Sequence, residues 1–136
     1  MEFAELIQKA KEAKEQAYAP YSGFHVGAAL LCKDGTIFTG CNIENSAYGP
    51  TNCAERTAIF KAVSEGFREF EAIAIISDSK QPTAPCGVCR QVMAEFCDPE
   101  AFQVVMAKSP EDYKVYTLGE LLPKAFSPET LEVERG

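Results

Sequence analysis

The chain has 136 residues, 46% hydrophobic and 24% charged, with 20 acidic against 13 basic side chains and a formal net charge of −7. That length and apolar content fit one domain over residues 1–136 with a core of its own. The acidic balance excludes a surface built to track nucleic-acid phosphates, and no apolar run approaches the roughly 18 residues of a membrane span, so neither a polynucleotide nor a membrane is expected as partner.

Taken in order, Met1-Glu2-Phe3-Ala4-Glu5 lacks the basic region of a secretory signal, which points to the cytoplasm. Residues 2–18 place Phe3, Leu6, Ile7, Ala10, Ala13 and Ala17 at helical spacing among Lys and Glu, predicting an amphipathic helix that ends before Pro20. Residues 26–32 are a nearly unbroken apolar run, and residues 37–41 follow after Lys33-Asp34-Gly35-Thr36. This pattern predicts two antiparallel strands around a tight Asp-Gly turn. Phe24 and His25 precede the first strand on opposite faces if its alternation already holds there. His25 is the only histidine, and a hydrogen-bonded side chain is expected of it rather than a metal ligand. Asn42 and Glu44, two apart at a strand end, share one side of an extended segment; by spacing alone they read as a capped loop. A loop through Tyr48 leads to a helix over residues 53–65, with Gly66 as its stop. Residues 70–77 suit a buried strand, and a second helix runs from Pro85 to about Cys97, halted by Asp98-Pro99. Residues 103–107 predict another strand and 113–116 a further edge strand, before Thr117-Leu118-Gly119-Glu120 in capping-box form. Phe126 follows in a Pro-flanked C-terminal segment, where local core packing is the ordinary expectation.

Six cysteines without a secretory signal point to reduced thiols or metal ligands, not to a disulfide framework. Cys53, in Cys53-Ala54-Glu55, and Cys86 and Cys89, in Pro85-Cys86-Gly87-Val88-Cys89, stand near predicted helix starts. There, unpaired N–H groups and a partial positive charge favour thiolate over thiol. Cys86 and Cys89 lie three apart on one turn, so their sulfurs can share an ion with Cys53. A closed structural zinc site takes four protein ligands, whereas a catalytic one takes three and leaves a position for solvent. Glu55, two residues past Cys53, can overhang that position without binding and carry a proton. C-A-E followed by P-C-x-x-C is the pattern of zinc deaminases, with the Glu as proton carrier. Three thiolates on a dication leave about one net negative charge, which Arg56 is placed to offset; an exposed salt bridge is its alternative role. Gln91 is a candidate to orient the Cys86–Cys89 turn, and Cys32, Cys41 and Cys97 are expected to pack as small hydrophobes.

With these residues the chain resembles the cytidine deaminases of the small, homotetrameric, three-cysteine zinc type. The resemblance runs from Ala19-Pro20-Tyr21-Ser22 through Phe24-His25-Val26-Gly27-Ala28-Ala29-Leu30 and Gly40-Cys41-Asn42-Ile43-Glu44-Asn45 to Glu120-Leu121-Leu122-Pro123. It implies an α/β fold of three layers, α-β-α, around a mixed sheet of about five strands. It also implies one Zn2+ per subunit on Cys53, Cys86 and Cys89, with Glu55 catalytic, and deamination of cytidine and 2'-deoxycytidine in pyrimidine salvage. Phe24, Tyr48 and Ala54 are then substrate contacts, Asn42 and Glu44 hold the ribose, and Arg56 donates hydrogen bonds to the cysteine sulfurs. Phe126 reaches a neighbouring subunit's base pocket, so active sites are shared within a homotetramer. Ser46 departs from the family, standing where a small apolar residue is common. Two rivals remain. One is a deaminase of a related nucleoside or nucleoside antibiotic, which should differ at the sugar and base contacts. The other is a non-enzymatic structural zinc module with Cys41, Cys97 or His25 as fourth ligand, which leaves the Glu55 carboxylate without a purpose.

Overall fold

Strands rich in Ala, Val and Ile and helices with one apolar face assemble into three layers. The computed structural model describes residues 3–131. In chain order these form α1 (Ala4–Lys14), β1 (Val26–Cys32), β2 (Ile37–Cys41), α2 (Ala54–Ser64), β3 (Phe70–Ser77), α3 (Gly87–Phe96), β4 (Gln103–Ser109), β5 (Asp112–Thr117) and α4 (Leu118–Leu121), then a 3-10 turn at Pro128–Leu131. The sheet order is β2-β1-β3-β4-β5. Only β3 and β4 are parallel, because α3 makes the crossover between them, and the remaining pairs are antiparallel.

Side chains alternate across β1 and so divide the core in two. Ala28, Leu30 and Cys32, with Ile73 and Ile75 of β3, meet Ala58, Ile59 and Ala62 of α2 and Met93 of α3. Ala29 and Leu31, with Ala72, Ala74 and Ile76, meet Leu6, Ile7 and Ala10 of α1. The α-β-α expectation and the five-stranded mixed sheet both hold. Burying a side chain such as Ile7, Ile73 or Met93 stabilises the fold by about 1.5–3 kcal/mol relative to exposure.

The predicted hairpin is present, with Gly35 at φ 95 and Asp34 Oδ1 accepting from Thr36 N at 2.9 Å. So is the capping box: Thr117 Oγ1 accepts from Glu120 N at 3.2 Å and Glu120 Oε1 from Thr117 N at 2.8 Å. The first helix is shorter than its apolar stripe predicts. It ends at Lys14, and Tyr18 instead bridges Ile43, donating N–H to Asn42 O and accepting from Glu44 N. Pairing with a segment 25 residues away outcompetes one more helical turn. The strands β4 and β5 extend to Ser109 and from Asp112, beyond the expected 107 and 113, because their antiparallel pairing continues to the tight turn.

Candidate active site

Both cysteine motifs open at helix N-termini, the first cysteine of each as the cap residue and Cys89 within the first turn of α3. Cys53 caps α2 and Cys86 caps α3, each in an extended conformation. Cys86 Sγ accepts from Cys89 N at 3.4 Å, as a Ser or Asp oxygen would at a helix start. The two helix starts face each other at one edge of the sheet, which brings together sulfurs 33 residues apart in the chain. Cys53 Sγ is 3.7 Å from Cys86 Sγ, and Cys86 Sγ is 3.3 Å from Cys89 Sγ. All three lie within 4.8 Å of one another. Thiolates sharing a tetrahedral zinc at about 2.3 Å stand roughly 3.8 Å apart, so this donor set fits such an ion in both softness and spacing. Among the described residues the group has three members; Cys41, Cys97 and His25 are not in it, which deprives a closed structural site of its fourth ligand. None of the six cysteines is in a disulfide.

The sulfurs differ electrostatically. A hydrogen bond from Cys89, with help from Arg56, holds the Cys53 thiol down to about 5, against the opposing effect of burial. Cys89 is pushed up, because it donates to Cys53 and is itself buried. Of these two thiols, Cys53 ionises first. Arg56 Nη2 donates to Cys53 Sγ at 3.2 Å, while its Nε is buried with no hydrogen-bond partner among the described residues. Arg56 thus turns toward the sulfurs and not outward to a surface carboxylate. Glu55 is 4% exposed, and burial, with the Cys53 charge adding, raises its carboxyl to about 7.

A cleft of about 300 Å3 opens over these groups. Phe24, Asn42, Glu44, Ala54 and Glu55 line it together with Cys53 and Cys86. Phe24 is 39% exposed toward it. Asn42 and Glu44 line the cleft but already hold the chain that carries Phe24. Asn42 Oδ1 accepts from Val26 N at 2.9 Å and its Nδ2 donates to Phe24 O at 2.8 Å. Glu44 Oε1 accepts from Tyr21 N and Ser22 N at 2.9 and 3.1 Å, and the Ser22 hydroxyl donates to Oε2. The Ser22 hydroxyl is the main reason the Glu44 carboxyl lies below its ordinary value. A second depression, lined by Tyr21, Ser22, Glu44 and Tyr48, shares Ser22 and Glu44 with the cleft.

Tyr48 and Phe126 stand apart from the cleft, 74% and 58% exposed. Tyr48 has φ 62 and meets the ring of Tyr21 edge-on. Gln91, expected at the Cys86–Cys89 turn, donates from Nε2 to Phe126 O at 2.6 Å, in the C-terminal segment. The neighbouring Arg90 ties that turn down, donating from Nε to Pro85 O and from Nη1 to Leu121 O, both at 2.8 Å. Motif spacing did not single out this role, although an arginine directly after the second motif mirrors Arg56 near the first. His25 makes a contact no local pattern suggested, pairing with Asp78 at 2.6 Å.

Comparison with known proteins agrees with this geometry. Residues 2–106 match the profile of the cytidine and deoxycytidylate deaminase zinc-binding region. A cytidine deaminase of Sporosarcina psychrophila is 56% identical over 131 residues, covering 96% of each chain. One from Halalkalibacterium halodurans is 56% identical over 126 residues, covering 93% of this chain and 95% of the relative. The crystal structure of a cytidine deaminase from Burkholderia pseudomallei superposes with a TM-score of 0.87 at 52% identity, covering 93% of this chain and 100% of that one. On a profile that spans most of its length and on relatives more than half identical, this chain belongs to the cytidine and deoxycytidylate deaminase family.

Proposed function

We propose that the protein catalyses the zinc-dependent hydrolytic deamination of cytidine and 2'-deoxycytidine to uridine and 2'-deoxyuridine, with release of ammonia, as a step of pyrimidine salvage. What carries this reading is the grouping of three sulfurs beside one buried carboxyl at the floor of a cleft whose volume suits a small molecule. Cys53, Cys86 and Cys89 would hold the zinc, which would supply Lewis acidity toward a water molecule near neutral pH. Glu55 takes a proton from the attacking water and delivers it to the pyrimidine N3, which makes C4 electrophilic; it then takes the proton of the new C4 hydroxyl and delivers it to the departing amino nitrogen. Burial raises its carboxyl above the ordinary carboxylate range, which suits a group that takes up and hands on protons. The C4–N bond breaks, a C4–O bond forms with oxygen from water, and the amino group leaves as ammonia. Arg56 offsets the charge of the thiolates through its bond to Cys53. Phe24 forms a wall for the base, Ala54 adds a contact, Tyr48 contributes from the adjoining depression, and Asn42 and Glu44 address the ribose hydroxyls.

The substrate is the nucleoside and not its phosphate. Among the described residues of one chain, no Lys or Arg lines the cleft or the depression beside it, and the Glu44 carboxylate faces both, which disfavours a phosphate there. The same reading makes the protein a homotetramer in which Phe126, well exposed within its own chain, enters a neighbour's pocket. It works in the cytoplasm, where thiols used as ligands stay reduced.

The test is loss of the ultraviolet absorbance of cytidine, with metal analysis of the same sample and with 2'-deoxycytidine and cytidine 5'-monophosphate in parallel. Turnover of the two nucleosides with about one zinc per chain is expected from a three-ligand site. Zinc-loaded protein that turns over neither nucleoside, or that prefers the monophosphate, overturns the assignment.

A further inference from the structure

Phe24 reaches the cleft from an irregular stretch between Ser22 and the start of β1, yet the backbone around it is held at nearly every polar group. Phe24 N donates to Ser22 Oγ at 3.0 Å, Phe24 O accepts from Asn42 Nδ2 at 2.8 Å, and Val26 N donates to Asn42 Oδ1 at 2.9 Å. Between them, His25 N donates to Asp78 Oδ2 at 2.8 Å and His25 O accepts from Asp78 N at 3.1 Å. Ser22 and Asn42 line the cleft, but Asp78 does not; it stands one residue past the end of β3. The same carboxylate takes His25 Nδ1 at 2.6 Å and Lys14 Nζ at 3.3 Å. A single side chain thus joins the last residue of α1, the end of β3 and the stretch behind Phe24. Its carboxyl lies below the ordinary value, chiefly because of the His25 N–H, as expected of a fully engaged acceptor.

We infer that Asp78 is a positioning residue for the base pocket: through His25 it sets the place of the Phe24 ring, and hence the affinity for the pyrimidine, without touching substrate. This rests on Phe24 being a wall of that pocket, as proposed above. The geometry favours such a role over plain stabilisation, because the carboxylate spends one oxygen on the residue next to Phe24 and the other on α1. The two functions can therefore be separated. Lys14→Met removes only the link to α1, whereas Asp78→Ala removes both, and Asp78→Asn keeps an acceptor for the His25 N–H. Because Asp78 is partly exposed, these changes leave the core untouched.

The experiment is steady-state kinetics with cytidine on Asp78→Ala, Asp78→Asn, Lys14→Met, Phe24→Ala and the Asp78→Ala/Phe24→Ala double variant, at equal zinc content and with Tm recorded for each. Asp78→Ala should raise KM by about tenfold, within the range for coupled neighbours, and change kcat by less than about twofold. Asp78→Asn should recover most of that loss, and Lys14→Met should lower Tm without moving KM. In the Phe24→Ala background, Asp78→Ala should add nothing further, since the ring through which it acts is gone. An unchanged KM in Asp78→Ala, or effects that simply multiply in the double variant, overturns the inference while leaving the role of Phe24 standing. If Phe24→Ala alone leaves KM unchanged, the pocket wall was wrongly identified and the inference goes with it.

Discussion

Gly27 in β1 and Gly40 in β2 do the same mechanical job on opposite faces of the sheet. A Cβ at Gly27 would lie 2.0 Å from Ala10 O, and one at Gly40 would lie 2.5 Å from Ala54 O and 2.6 Å from Ala58 N. Each glycine lets a helix approach closer than any side chain allows. On the α1 face the approach closes an apolar layer of Leu6, Ile7, Ala10, Ala29, Ala72 and Ala74, and nothing reactive depends on it. On the other face it seats the first turn of α2, which carries Glu55 and Arg56 and is capped by Cys53, against the sheet. Close packing thus supports stability on one face, and on the other it also supports the distances among groups that do chemistry.

The largest effect should come from the chemical face. Glu55→Gln is isosteric and should lower kcat by about 10²–10⁴-fold while zinc content and Tm stay near wild type; a loss of zinc instead would make Glu55 part of the metal's support. Next comes the glycine pair. Gly27→Ala and Gly40→Ala should each destabilise by about 1–3 kcal/mol, the usual cost of overpacking, read as a shift in the denaturant midpoint. Only Gly40→Ala should also weaken zinc, measured by competition with a chromophoric chelator, and equal zinc affinity in the two variants would break the distinction between the faces. Arg56→Ala should weaken zinc by about 10–100-fold, as removing a partner of a metal ligand does.

The smallest effect concerns pH and the edge where the two faces meet. The carboxyls of Glu44 and Asp78 lie below their ordinary values, chiefly through the Ser22 hydroxyl and the His25 N–H. A carboxyl depressed in the folded state contributes stability above its unfolded value near 4 and loses it as pH falls through the lower folded value. Asp78→Asn should therefore reduce the steepness with which Tm drops below about pH 4, and an unaltered drop would remove Asp78 from the acid response.

Much of this was legible from short-range pattern. The hairpin at Asp34-Gly35, the cap at Thr117 and the starts of α2 and α3 depend on interactions within four residues, so the spacing of Gly, Thr, Cys and apolar side chains foretells them. Other features did not follow from spacing. The stripe through Ala13 and Ala17 promised a longer α1, but the bridge from Tyr18 to Ile43 ended it. Gln91 and Arg90 are adjacent and both polar, and only the path of the C-terminal segment decides which one holds the Pro85–Cys86 turn. For Arg56, spacing alone favours a surface salt bridge, and only the folded chain turns its guanidinium to the Cys53 sulfur.

By itself the sequence determined the kinds and order of the secondary elements and singled out three thiols and the carboxyl beside them as candidates, because helix period, capping and ligand chemistry operate locally. The tertiary structure alone decided that Cys53 lies 3.7 Å from Cys86, that Glu55 is buried deeply enough for its carboxyl to rise to about 7, and that Asp78 grips His25 from 53 residues away. Those outcomes depend on which strands become neighbours and how near the glycines let the helices come, and such distances exist only once remote segments have packed.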